Sequence, residues 1–190
     1  MTAKEELTLA LLAGGAGARL GGVEKGHLQF RGQSFAQTLH GALGVHCART
    51  VVVSPRPQVW PGWDVAADVE PGHGAPGALV TALLAARTRW VLVVAVDLPT
   101  VQWDHVSPLV GAAVQGDGAC YRWDGRLEGL LGVYRAALGP PWQARLGENP
   151  SVQALIRTAA VSALDAPPAM AQVLRSVNTP DALQALLKNG

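Results

Sequence analysis

Cysteine and lysine are scarce in this chain, and neither sign of charge dominates. Only Cys47 and Cys120 occur, far apart and outside any C-x-x-C spacing. That excludes a disulfide framework and a thiolate metal site, so both read as reduced, buried thiols of a cytoplasmic protein. A formal net charge of +1 leaves no basic field for nucleic acid, and the cations are scattered rather than clustered, which argues against docking on a membrane surface. The longest apolar run, WVLVVAV at 90–96, is far short of the roughly 20 residues of a membrane span. The N-terminal MTAKEELTLALL carries acidic residues where a signal peptide has a basic region. His27, His40, His46, His73 and His105 lack metal-ligand spacing and read as surface or packing residues. The six tryptophans show no period either; Trp60 and Trp63, flanking a Pro-Gly turn, read as packing residues. With no repeat, linker or low-complexity stretch, the 190 residues are expected to form one domain, 1–190.

What is present alternates. LTLALL (7–12) is a short apolar strand that runs into a glycine-rich loop. Ser34 caps a helix to about His46, with Phe35, Leu39 and Leu43 on one face. RTVVVS (49–54) is a β-branched strand, WDVAAD (63–68) a weaker one, EPGHGAPG (70–77) a loop and ALVTALLAAR (78–87) a helix. WVLVVAV has the unbroken apolar character of a central strand buried on both faces. Asp104 is the expected N-cap of a helix to about Gln115, and Asp124-Gly125 turns a hairpin between ACYRW and LLGVYRAAL. Short helical pieces follow near 143–146 and 152–158. VLRSVN (173–178) is expected as a late strand, and Thr179 caps a last helix with Pro180 at its first position. The pattern predicts an α/β fold with a mostly parallel sheet and a small hairpin, ligands lying at the carboxyl ends of its strands.

The loop LAGGAGARLGGVEKG sits between that first strand and the first helix. Strand, glycine loop and helix together hold phosphate, because bare backbone turns N–H groups toward the anion. Two well-known versions fail. Leu20 stands where the dinucleotide fingerprint needs its third glycine, and Lys25 precedes Gly26 rather than Ser or Thr. A turn that serves only to reverse the chain would also account for the glycines. Three lysines stand against twelve arginines, and Lys25 is the only internal one. A compact ammonium in place of a planar fork suits a phosphate, although a solvated surface charge is the alternative for both Arg19 and Lys25. Asp97 follows seven apolar residues, where an unpaired buried carboxylate would be costly. Either a Mg²⁺ ion, which takes one or two carboxylates and phosphate oxygens, or a capped turn would compensate.

The loop resembles the signature of nucleotidyltransferases with a Rossmann-like α/β fold. Its G-G-x-[DE]-K-G continuation, Gly21 to Gly26, is most similar to the molybdenum cofactor guanylyltransferases, the MobA family. DVEPGHGAPGALVTAL, VVAVDLP and VLRSVNTPDAL resemble that family's later segments in the right order, so the resemblance spans about residues 7 to 187. It implies a single-domain three-layer α/β/α fold and transfer of GMP from Mg-GTP to the terminal phosphate of molybdopterin, with pyrophosphate released. It also implies the nucleotide-binding residues Leu12, Ala13, Gly14, Gly15, Gly17, Arg19, Lys25, Ser54, Asp68, Gly77 and Asp97. Arg19, Lys25 and Asp97 would serve catalysis, Asp97 as the Mg²⁺ ligand, and Asn178 would lie on the pterin side. An ordinary strand-end carboxylate at Asp68 and an Asx turn at Asn178 are the alternatives to those roles.

Three positions depart from the family pattern. Glu24 stands where aspartate is commoner, Ser54 where asparagine is frequent, and Glu128-Gly129 where a proline usually follows a polar residue. The last two bear on guanine contacts and the pterin-side loop. The pairs Arg87/Arg89 and Arg122/Arg126 fit surface charge or contact with an anionic substrate. The expected state is a cytoplasmic monomer with GTP and molybdopterin as substrates, in transient contact with other cofactor-biosynthesis proteins or apo-molybdoenzymes. A CTP-dependent molybdopterin cytidylyltransferase, another nucleotidyltransferase or a catalytically idle binding module would share the fold. A nicotinamide oxidoreductase is disfavoured by the missing third glycine.

Overall fold

The computed structural model describes residues 4–14 and 24–189. Gly15, Gly17 and Arg19, three of the expected phosphate-loop residues, lie outside the described residues. The strands are β1 (Leu7–Leu12), β2 (Gln29–Phe30), β3 (Gln33–Ser34), β4 (Arg49–Ser54), β5 (Val65–Ala67), β6 (Trp90–Ala95), β7 (Gly118–Trp123), β8 (Arg126–Arg135) and β9 (Val161–Asp165). The helices are α1 (Phe35–Leu43), α2 (Gly74–Ala85), α3 (Trp103–Ala113), α4 (Gly139–Gln143), α5 (Val152–Ile156) and α6 (Pro180–Asn189). Seven strands form one sheet in the order β5-β4-β1-β6-β8-β7-β9, and β2 and β3 pair as a separate small hairpin. β5, β4, β1 and β6 run parallel to one another, as do β7 and β9; β8, between β6 and β7, is antiparallel to both. The expected α/β fold with a mostly parallel sheet is therefore the observed one.

The apolar runs explain the centre. β1 is buried along its whole length and β6 from Trp90 to Val94, because both strands are covered on two faces. Alternation divides their side chains. Leu7, Leu9, Leu11, Leu92 and Val94 pack with Leu39 and Leu43 of α1 and Val106 and Leu109 of α3. Ala10, Leu12, Val91 and Val93 pack with Leu79 and Leu83 of α2, Trp142 of α4 and Leu155 and Ile156 of α5. Helices thus cover both faces of the sheet, a three-layer arrangement. A third cluster of Phe30, Phe35 and Val177 seats Leu183 and Leu186 of α6.

Local signals fix many boundaries. Ser34 accepts the Gln37 N–H while Gln37 Oε1 accepts the Ser34 N–H, a reciprocal cap on α1. Asp124 and Gly125 both take positive φ, 47° and 72°, the conformation a two-residue hairpin turn requires. Thr179 Oγ1 accepts the Ala182 N–H at the start of α6. Trp60 is buried in the core as expected of a packing residue.

Four expectations are corrected. Residues 173–178 form no strand; Val177 N–H donates once, to the Asp97 carbonyl, and its side chain is taken by the third cluster. The late strand is β9, half-buried and at the sheet edge, so it lacks the apolar run by which interior strands are recognised. The cap of α3 is Gln102, whose N–H donates to His105 Nδ1 at 2.9 Å, and Asp104 falls inside the first turn. α2 begins at Gly74, within the stretch read as a loop, because positive φ at Gly72 and Gly74 turns the chain before Pro76 enters the first helical turn. The first of the short helical pieces sits earlier than expected, at 139–143, where Pro140 and Pro141 start α4.

Cys47 and Cys120 are free and buried, in agreement with the sequence. Burial pushes the thiols up from 9.0, to about 12 for Cys47 and about 11 for Cys120. The folded chain therefore keeps two protons that the unfolded chain releases above pH 9.0. Their contribution to stability is complete below that pH and is lost as pH rises toward 11 and 12. Urea midpoints should fall between pH 9 and 11, and replacing both cysteines by alanine should flatten the alkaline decline. An unchanged decline in that variant would assign it to other groups.

Candidate functional site

The parallel half of the sheet delivers the site residues side by side. Across the order β5-β4-β1-β6, the carboxyl ends lead to Asp68, to Ser54, to Ala13-Gly14 and to Asp97. Ala13 N–H donates to the Val53 carbonyl at 2.9 Å and Val96 N–H to the Leu12 carbonyl at 3.1 Å, so the mouth of the glycine loop is held to both neighbouring strands.

Lys25 opens a short helical turn, Lys25–His27. Its ammonium lies 3.1 Å from Asp97 Oδ2 and also donates to Asn178 Oδ1. Lys25 and Asp97 are each only 17% exposed, so this pair is largely shielded from bulk water. Asn178 in turn donates from Nδ2 to Ser176 Oγ. Three residues 72 and 153 positions apart in the chain, Lys25, Asp97 and Asn178, thus form one polar cluster. Asn178, expected on the pterin side, is here in direct contact with the lysine expected on the phosphates. It reaches that place because Val177 is tied to Asp97 through the backbone.

The residues expected on the nucleoside side lie elsewhere. Asp68 Oδ1 accepts the Glu70 N–H at 3.4 Å and lies 3.2 Å from Thr81 Oγ1, which itself accepts the Val69 N–H. Gly77 sits under this turn within α2. A Cβ there would come within 3.1 Å of His73 Cβ, 3.2 Å of the Glu70 carbonyl and 3.4 Å of Asp68 Oδ1. Its bareness permits the close approach of the Asp68 turn to the helix. Ser54 is fully buried, and its hydroxyl lies 3.2 and 3.3 Å from the carboxylate oxygens of Glu24 while accepting the Arg56 N–H. Its side chain thus faces Glu24. Thr81 and Glu24 were not singled out as site residues from the sequence; a threonine inside an otherwise apolar helix stretch was the available signal for the first.

Beside Asp97 opens a cavity of about 640 Å³, lined by Asp97, Arg126, Glu128, Ser151, Gln153 and Ser176. The first residues of β8 form one wall because that strand overhangs β6: Val94 pairs with Leu131, so Arg126 to Gly129 project beyond the carboxyl end of β6. Burial pushes the Glu128 carboxyl up, opposed by the Arg126 guanidinium. Of the arginine pairs, Arg126 faces this cavity, whereas Arg122 meets Asp165 at 3.2 Å on the surface. A second cavity, about 610 Å³, lies across segment 172–177 and is lined by Phe30, Arg31, Arg175 and Leu186 among others. Neither Lys25 nor Asp97 lines it, whereas Asp97 lines the first.

Among the described residues no group of three or more His, Cys, Asp or Glu is arranged to hold a metal. A Mg²⁺ ion at Asp97 fits that donor set, since Mg²⁺ accepts one carboxylate and takes its other ligands from phosphate and water. No described helix is long and apolar enough to cross a membrane.

The chain has relatives over most of its length. A molybdenum cofactor guanylyltransferase of Pseudomonas putida is 30% identical over 193 residues, covering 96% of this chain and 98% of that protein. A probable molybdenum cofactor guanylyltransferase of Chloroflexus aggregans is 32% identical over 139 residues, and one of Deinococcus radiodurans 31% over 110; these matches span 66% and 56% of the two relatives. Among solved structures, molybdopterin-guanine dinucleotide biosynthesis protein A of Archaeoglobus fulgidus superposes with a TM-score of 0.78 at 19% identity, over 96% of this chain and 97% of that one. The 2-C-methyl-D-erythritol 4-phosphate cytidylyltransferase of Thermus thermophilus superposes with a TM-score of 0.70 at 17% identity, over 95% and 96%. The family model that matches residues 9–175 starts inside β1 and ends beyond Asp97 and the cavity wall, and by it the chain belongs to the MobA-like NTP transferase domain family.

Proposed function

We propose that the protein is a molybdenum cofactor guanylyltransferase that transfers GMP from Mg-GTP to the terminal phosphate of molybdopterin. The observation that carries this reading is the Lys25–Asp97–Asn178 cluster, which stands just past the carboxyl end of β6 beside a cavity large enough for a second substrate. An oxygen of the acceptor phosphate attacks the α-phosphorus of GTP, the new P–O bond forms, and the bond to the β-phosphate breaks with pyrophosphate leaving. Such a transfer needs positioning and charge neutralisation rather than a protein nucleophile.

The residues divide the work by place. Lys25 neutralises charge that grows on the phosphates during transfer, and Arg19 of the same loop shares that role. Asp97 would hold Mg²⁺, which supplies further charge neutralisation at the phosphate oxygens when bound. Asp68 and the turn over Gly77 take the nucleoside. The cavity beside Asp97, with Ser176 in its wall and Asn178 bonded to that serine, takes the acceptor, and its arginine, Arg126, faces the anionic molecule.

Thermal unfolding with Mg²⁺ and, separately, GTP, CTP, ATP or NAD tests the nucleotide half. A ligand at about a hundred times its dissociation constant adds roughly 2.7 kcal/mol. A shift selective for GTP is the expected result, followed by molybdopterin-dependent release of pyrophosphate. A CTP-selective shift would move the reading to cytidylyl transfer. No shift with any nucleotide would overturn it.

A further inference from the structure

Lys25 is preceded by a carboxylate that the proposed chemistry does not use. Glu24 is almost completely buried, 5% exposed. Among the described residues its donors are Ser54, at the end of β4, and Arg56 and Trp60 just beyond it. Trp60 Nε1–H donates to Oε2 at 2.7 Å, Arg56 Nε–H donates to Oε1 at 2.8 Å, and the Ser54 hydroxyl lies within 3.2 Å of Oε1. A buried carboxylate is tolerated only with such compensation, and here both oxygens have it.

The next residues continue the same contact. Gly26 lies directly on the Trp60 indole, so that an added Cβ would overlap the ring. His27 stacks on that indole with ring centroids 4.1 Å apart. Residues 24, 26 and 27 are therefore held against Trp60, while Lys25 alone points the other way, to Asp97 and Asn178. From these contacts we infer that Glu24 is a positioning residue: its grip on Ser54, Arg56 and Trp60 fixes the backbone of Lys25 so that the ammonium arrives at the phosphates in one place. The inference rests on the phosphate role of Lys25 given above.

The arrangement has a stereochemical rationale. A lysine side chain has four rotatable bonds, and a single hydrogen bond at its tip does not fix its base. Anchoring the flanking residue removes that freedom before substrate binds, which is how a group remote from the reacting atoms changes rate through geometry. The same contacts join Glu24 to Ser54 at the end of β4, next to the strand that leads to Asp68.

The test compares Glu24→Ala, Glu24→Asp, Lys25→Ala and the Glu24→Ala/Lys25→Ala double variant, each checked for folding by circular dichroism and thermal unfolding. The assay is steady-state pyrophosphate release from Mg-GTP with molybdopterin. Glu24→Ala should lower kcat by about tenfold or more with a smaller change in the KM for GTP, as displacement of a positioned group predicts. Glu24→Asp, which restores a carboxylate, should recover most of that loss. In the double variant kcat should equal that of Lys25→Ala, because a residue acting through Lys25 has nothing left to position. A folded Glu24→Ala with wild-type kcat beside an impaired Lys25→Ala would overturn the positioning role alone. Losses that multiply in the double variant would do the same. An active Lys25→Ala would instead refute the phosphate role on which it rests.

Discussion

Asp97→Ala should lose turnover by about a thousandfold or more while the protein stays folded. The carboxylate ends the central strand, and it is the acidic group at the junction of the glycine loop and the 640 Å³ cavity. Its removal takes away the expected Mg²⁺ ligand, and also the anion that holds Lys25 in place. Asp97→Asn should be nearly as inactive, since it keeps an oxygen for Lys25 to meet but lacks the charge. Stability falls by more than for an exposed pair, because the largely shielded Lys25 ammonium keeps only Asn178 as a partner among the described residues. The loss is about 1–3 kcal/mol, seen as a lower melting temperature. Single-turnover assays across a Mg²⁺ titration, beside melting curves, check both halves. Near-wild-type turnover in the alanine variant would remove Asp97 from the mechanism.

Lys25→Ala is the second large effect, about a hundredfold to a thousandfold in kcat/KM for GTP, the range for one lost group that meets developing charge. Lys25→Arg should recover little. The ammonium fits between Asp97 Oδ2 and Asn178 Oδ1, and a planar guanidinium presents its donors in a wider fork. Loss of the lysine leaves the Trp60 contacts of Glu24, Gly26 and His27 in place, so the loop end should retain its fold. Activity in Lys25→Ala within a few-fold of the parent would end the assignment.

The two positions differ in how far the sequence reveals them. Asp97 is legible because one polar residue follows seven apolar ones, and the strand they predict is the middle strand of the sheet. Lys25 is legible from the loop and from the rarity of lysine. Their meeting with Asn178 is not, because it depends on segment 173–178 crossing the strand ends, a path with no periodic signature. The same segment was expected as a strand: its apolar residues suggest one, but Val177 is drawn instead into the cluster under α6. β9 escaped notice for the complementary reason, since an edge strand with half-exposed Val161, Ser162 and Ala163 needs no apolar run. Glu24 stands where aspartate is commoner, and the sequence says no more of it. Its burial follows from Trp60, 36 residues away, and no local pattern carries that information.

The overhang of β8 beyond β6 has a consequence for how such a protein changes over generations. Residues that would meet the nucleotide come from the ends of four parallel strands separated by helices, so altering that half requires coordinated change along the chain. One wall of the proposed acceptor cavity is encoded by a contiguous stretch, Arg126 to Leu131, reached through a hairpin whose turn is Asp124-Gly125. A few neighbouring codons can reshape it while the donor half stands untouched. A shared scaffold with divergent acceptors is the outcome such an economy of mutation favours.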